Sequence, residues 1–190
     1  SAGCKHCYAE LMAKRLQAMG TPGYENGFAL RLIPERLQDP VKRKKPTIYF
    51  VNSMSDLFHE KVPSEYIDRV IEVIANTPQH SYQILTKRRG VKAKIRFLSV
   101  EPLLEDVGEL DLHDIHWVIV GGESGPKARP MKPEWADSVR VQCEEQEVAF
   151  FFKQWGGWGA DGKRRAKAKN GRILNGRTWD EMPAQAALMM

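Results

Sequence analysis

Five short apolar runs each give way at once to polar groups, and that pattern constrains this chain more than any other feature. The runs are Thr47–Val51, Ser81–Leu85, Ile95–Val100, Trp117–Val120 and Val148–Phe152. All read as buried strands, since parallel strands covered on both faces are near-continuous apolar stretches rather than alternating ones. Helical patterns fall between them. The apolar residues Tyr66, Ile67, Val70, Ile71 and Ile74 form one stripe behind Pro63, and Pro133–Glu147 has helical character with Cys143 as a buried small hydrophobe. Ahead of the first strand, Leu11, Met12, Leu16 and Met19 recur at helical spacing until Gly20 stops them. Strands alternating with helices predict an α/β fold with a parallel sheet.

One connection is too short for that scheme. Only about ten residues separate the second and third strands, where a crossover with a helix needs at least ten to twelve. Either this connection is a hairpin or residues are missing near 88–94, between Arg88 and Lys94, and the second is expected because both flanking strands read as fully buried. Residues are also expected ahead of Ser1, since no initiator Met stands before the cysteine motif.

The polar groups that end the strands are Asn52, Ser53 and Asp56; Thr86, Lys87 and Arg88; Ser99 and Glu101; Gly121, Gly122 and Glu123; and Lys153 and Gln154. In a parallel barrel such ends converge on the face where active sites form, and in an open sheet they line a crevice. Asn52, Lys87, Glu101, Glu123 and Lys153 are thus expected on one side. In the Gly121–Gly122–Glu123 run, two glycines allow close backbone approach and a carboxylate follows. A turn capped by an exposed Glu gives the same sequence. No phosphate loop of the GxxxxGK[ST] form occurs.

The chain opens SAGCKHCYAE, with two of its three cysteines two residues apart. A disulfide, a redox dithiol, a zinc knuckle and an iron–sulfur cluster all suit such a pair. Zinc as a rule takes four ligands, and a second CxxC is absent. A four-iron cluster needs three thiolates and leaves one iron open. So few cysteines argue against a disulfide-stapled secreted domain and for a reducing, cytoplasmic setting. No apolar run approaches the roughly 20 residues of a membrane span. The net charge of +5 and pI near 9.1 admit a nucleic-acid partner. The basic run Lys163, Arg164, Arg165, Lys167 and Lys169, with Trp155, Trp158 and Trp179 nearby, is the candidate contact surface, and a solvated tail has the same composition.

The ordered set CKHCYAE, FVNSMSDLFHE, QILTKR, FLSVEPLL, VIVGGESGPKARPM, FFFKQWG and GRTWDEMP resembles a family of phage-associated proteins of uncharacterised function with radical-SAM-like features. The resemblance runs nearly end to end. In that family a further cysteine precedes the CxxCYA unit, and additional barrel sequence follows the LTKR motif. The resemblance implies a partial (β/α) barrel of the radical SAM type over residues 1–155, while the Gly- and Lys/Arg-rich composition of 156–190 reads as an irregular basic C-terminal arm with a hairpin around GRILNGRTW. It implies a 4Fe-4S cluster on Cys4 and Cys7, with Tyr8 beside it, and S-adenosylmethionine as cofactor. Asn52, Ser53, Asp56, Gly121, Gly122 and Glu123 would bind the cofactor, with Glu123 near the methionyl amine. Lys87, Glu101 and Lys153 would serve catalysis on an unknown substrate, possibilities for which include nucleic acid. The competing expectation is a non-catalytic nucleic-acid-binding or zinc-binding protein.

Overall fold

The computed structural model describes residues 8–52, 54–86 and 93–183. The chain divides into two compact units, Ser1–Val91 and Lys92–Met190.

The first unit begins with helix α1 (Tyr8–Ala18). Its buried positions are Ala9 and Ala13, while Leu11, Met12 and Met19 stand exposed. The expected apolar stripe is therefore not the face that packs. Two alanines at i and i+4 let the helix backbone approach its neighbours, which larger side chains would prevent. A 3-10 turn (Pro34–Leu37) and the short helix α2 (Gln38–Lys42) lead to strand β1 (Ile48–Val51). Helix α3 (Ser64–Ala75) then crosses to β2 (Ser81–Ile84), which pairs parallel with β1 in the register Ile48↔Ser81 to Val51↔Ile84. Pro63 is the N-cap of α3, and the predicted stripe faces inward at Val70. Only Ile71 of that stripe is left exposed. Strand β1 is less buried than its composition suggests, with Ile48 and Phe50 both exposed. His80 anchors the end of the unit: its Nε2 donates to the carbonyls of Pro40 (3.0 Å) and Arg43 (2.9 Å).

The second unit holds β3 (Phe97–Val100), β4 (Trp117–Gly121), α4 (Pro133–Glu145) and β5 (Ala149–Gln154). The three strands form one parallel sheet in the order β3-β4-β5. Phe150, Phe152, Val118, Val120, Val139 and Cys143 lie at the centre of its core. Full burial and the neighbouring Glu181 push the Cys143 thiol up to about 12. In a Cys4→Ala/Cys7→Ala protein at pH 8, a thiol reagent should therefore find no reactive group until denaturant is added. The thiolate fraction is about a thousandfold below that of a free cysteine. A fast reaction in the native protein would contradict this burial.

The basic C-terminal segment is integrated into the second unit. Phe151 and Asp180 form an antiparallel bridge, with Phe152 N donating to Trp179 O at 3.0 Å, so residues after Arg177 cover the outer edge of β5. The expected hairpin around GRILNGRTW is present as a tight turn. Leu174 and Arg177 bridge across Asn175 and Gly176, whose φ angles are 50° and 80°. The helix α5 (Lys167–Asn170) completes the segment.

The α/β class and the parallel strands hold, arranged as one two-stranded and one three-stranded sheet. Among the described residues these strands do not close into a barrel, because β2 and β3 are not hydrogen-bonded neighbours. Most of the short connection between them, residues 87–92, lies outside the described residues.

Candidate functional site

Each sheet carries polar groups at its C-terminal edge. In the first unit Asn52 takes a left-handed backbone (φ 58°), and its Nδ2 donates to Ser55 Oγ at 2.9 Å. Asp56 Oδ1 accepts from Thr86 Oγ1 at 2.9 Å and from the backbone N–H of Phe58 at 3.0 Å. Thr86 follows β2 and Asp56 follows β1, so this bond ties the two strand ends together. Ser53 and Lys87, expected at the same edge, lie outside the described residues, as do Cys4 and Cys7. Tyr8 opens α1.

The second unit supplies the denser cluster, centred on Glu101 just past β3. Lys153 Nζ donates to Glu101 Oε2 at 2.7 Å, and Gln154 Nε2 donates to Glu101 Oε1 at 2.8 Å. Lys153 and Gln154 are consecutive, and alternation along a strand would send them to opposite faces. A register shift between β4 and β5 removes that obstacle. Val120 pairs with Phe152 but Gly121 pairs with Gln154, leaving Lys153 as the extra residue of a bulge. Gly121 lies beneath the carboxylate, where a Cβ would sit 2.8 Å from Glu101 Oε1. Gln154 also approaches Ser124 Oγ at 3.4 Å, and its own Oε1 is buried without a partner. The pattern of polar strand ends pointed to Glu101 and Lys153. Gln154 joins them only through the bulge.

The Gly-Gly-Glu run has a different role from a ligand cradle in this structure. A Cβ on Gly122 would lie 2.0 Å from the carbonyl oxygen of Trp155, and one on Gly156 would lie 2.2 Å from that of Glu123. The glycines allow two loops to cross backbone on backbone, fastened by Gly122 N to Gln154 O (2.9 Å) and Gly157 N to Glu123 O (2.8 Å). The Glu123 carboxylate is taken up by Arg129. Oε2 accepts from the Arg129 backbone N–H (2.8 Å) and Nε (2.9 Å), and Oε1 from Nη2 (2.9 Å). Those hydrogen bonds hold its carboxyl below the usual glutamate range. At Gly121–Glu123 the glycines thus serve the loop crossing and the carboxylate is engaged by Arg129.

The candidate nucleic-acid surface is narrower than its composition. Arg165 pairs with Asp161 through both terminal guanidinium nitrogens, and Arg164 donates to the Pro126 carbonyl. The tryptophans are anchored to their own unit through their indole N–H groups. Their Nε1 atoms donate to the carbonyls of Ile173 (Trp155, 2.8 Å), Ala128 (Trp158, 2.6 Å) and Leu174 (Trp179, 2.9 Å). Lys163, Lys167 and Lys169 remain exposed on that surface.

No group of three or more His, Cys, Asp or Glu among the described residues is gathered as a metal centre would require. No helix among them is long and apolar enough to cross a membrane.

A model of the family described as "Protein of unknown function (DUF5131)" matches residues 1–92 and 89–183. The chain belongs to that family. The two matched stretches meet inside the short connection between β2 and β3. No curated protein and no solved structure matches the chain.

Proposed function

We propose that this protein is an iron–sulfur, S-adenosylmethionine-dependent radical enzyme whose substrate is held at the C-terminal edge of the β3-β4-β5 sheet. The observation that carries the reading is the Cys4–Cys7 pair immediately ahead of α1, in an α/β chain whose parallel strands end in polar groups. The donor chemistry suits a cluster: two thiolates at CxxC spacing bind iron readily. Cys143 does not supply a third, because it is enclosed in the core of the second unit with its thiol held protonated. A 4Fe-4S cluster with S-adenosylmethionine supplies one-electron cleavage of a sulfonium and, through it, hydrogen-atom abstraction from an unactivated carbon. The barrel of the radical SAM type and the phage association belong to this proposal as well.

The chain's own contribution is positional. Glu101 is an acceptor fixed from two sides by Lys153 and Gln154, so its carboxylate needs little reorganisation when a substrate arrives. Asp56, tied to Thr86, plays the corresponding part at the edge of the first unit. Glu123 is committed to Arg129 and serves the loop crossing.

Anaerobic purification tests the reading. The protein should be brown, contain iron and sulfide, and on reduction convert S-adenosylmethionine to 5′-deoxyadenosine and methionine. A colourless protein carrying zinc would overturn it and favour a zinc knuckle at Cys4 and Cys7. Tight, steeply salt-dependent oligonucleotide binding by a metal-free protein would instead favour the nucleic-acid reading, with Lys163, Lys167 and Lys169 as its contacts.

A further inference from the structure

From the geometry around Glu101 we infer that the substrate carries an α-amino-acid group, an ammonium and a carboxylate on one carbon, and that Glu101 and Lys153 form its seat. The inference rests on the proposed reading in one respect only, that the substrate is held at this edge of the sheet.

The site is built rather than incidental. A bulge in β5 brings two consecutive residues onto a single carboxylate, and bulges of this kind re-aim side chains beside active sites. The strand opposite contributes a glycine, without which the carboxylate could not lie where it does. The Gln154 side chain is 7% exposed, and its Oε1 has no partner.

The charges choose the ligand class. Glu101 and Lys153 neutralise each other, so a simple cation or a simple anion would meet no net attraction. A zwitterion would meet both partners. The Lys153 side chain is 49% exposed and spends one of its three N–H donors on Glu101. Its others remain for a ligand carboxylate. Each Glu101 oxygen has a further lone pair for a ligand ammonium. The four charges then alternate around a closed ring, and the internal pair need not break. Charge-assisted hydrogen bonds of this type are the stronger ones in proteins, and the edge position leaves one side open to solvent.

The test uses the full-length chain bearing Cys4→Ala and Cys7→Ala, which removes the proposed cluster ligands from the measurement. The proteinogenic L-amino acids are screened one by one for a shift in the thermal midpoint read by tryptophan fluorescence, and hits are titrated by calorimetry. At least one amino acid should bind. Its decarboxylated amine and its deaminated acid should each bind about tenfold or more weakly. Glu101→Gln keeps the shape and the hydrogen-bonding reach of the side chain while removing its charge, and it should weaken binding by a similar factor. Lys153→Met, at a half-exposed position where folding is not at stake, should do the same. The inference is overturned if no amino acid shifts the midpoint, if the amine or the acid alone binds as well as the zwitterion, or if Lys153→Met binds unchanged. Loss of iron binding or of 5′-deoxyadenosine formation in the unsubstituted protein would defeat the radical reading and leave this seat standing. A cluster-bearing protein with no amino-acid dependence on Lys153 would do the reverse.

Discussion

Gly122→Ala should cost the second unit about 3 kcal/mol or more, an effect at the upper end for a single added methyl. The ideal Cβ would fall 2.0 Å from the Trp155 carbonyl oxygen, and the obstacle is backbone, not a side chain that can swing away. Relief requires the Trp155–Gly157 loop to retreat. That retreat strains the Gly122–Gln154 and Gly157–Glu123 hydrogen bonds and withdraws Trp155 from its place against Phe152, 5.0 Å between ring centroids. Gly162→Ala is the control: its φ is +68° but nothing lies within 4 Å. Only the left-handed strain applies there, about 1 kcal/mol. Urea titration followed by tryptophan fluorescence reads the difference cleanly. All of Trp117, Trp135, Trp155, Trp158 and Trp179 lie in the second unit, whereas every tyrosine lies in the first. A Gly122→Ala midpoint equal to that of Gly162→Ala would show that the two loops do not cross this closely.

The parts legible in the sequence are those governed by local patterns. The five strands and the two long crossover helices follow from runs and stripes that need no distant partner. The hairpin expected around GRILNGRTW is present, with Asn175 and Gly176 at positive φ in its turn. Cys143 read as core because free cysteines commonly pack as small hydrophobes, and its helix turns it inward with Ala136 and Val139. The parts that stayed hidden depend on partners far along the chain. Gly121–Gly122 carries the same signature whether the approaching group is a ligand or the chain's own backbone, and the group that approaches Gly122, Trp155, is 33 positions away. Gln154 sits where alternation would turn it away from Glu101, and only a bulge, which leaves no mark on composition, brings it back. In α1 the large side chains suggested one face, but close approach at Ala9 and Ala13 decided another. The tryptophans near the basic run suggested base stacking. Composition did not show that their indole N–H groups are spent on carbonyls of their own unit.

Cys4→Ala or Cys7→Ala should abolish iron binding outright, whereas Cys143→Ala should leave the iron content unchanged. A cluster is held by thiolates, so the loss of one of few ligands is not made good by a neighbouring carboxylate or imidazole. Cys143 cannot substitute, because reaching any cluster would require unpacking the core around Val139, Phe150 and Phe152. Its removal should instead act through stability. Deleting a fully buried sulfur leaves a small cavity under α4, at about 1–2 kcal/mol by analogy with other large-to-small core changes. The two outcomes separate chemistry from packing: one pair of substitutions empties the metal and spares the tryptophan-monitored midpoint, and the other lowers the midpoint and spares the metal. Metal analysis with the visible spectrum, and urea titration on the same preparations, supply both readings. If the Cys4→Ala/Cys7→Ala protein retained its full iron content, the opening CKHC would be a structural feature, and the radical reading would lose the observation on which it stands.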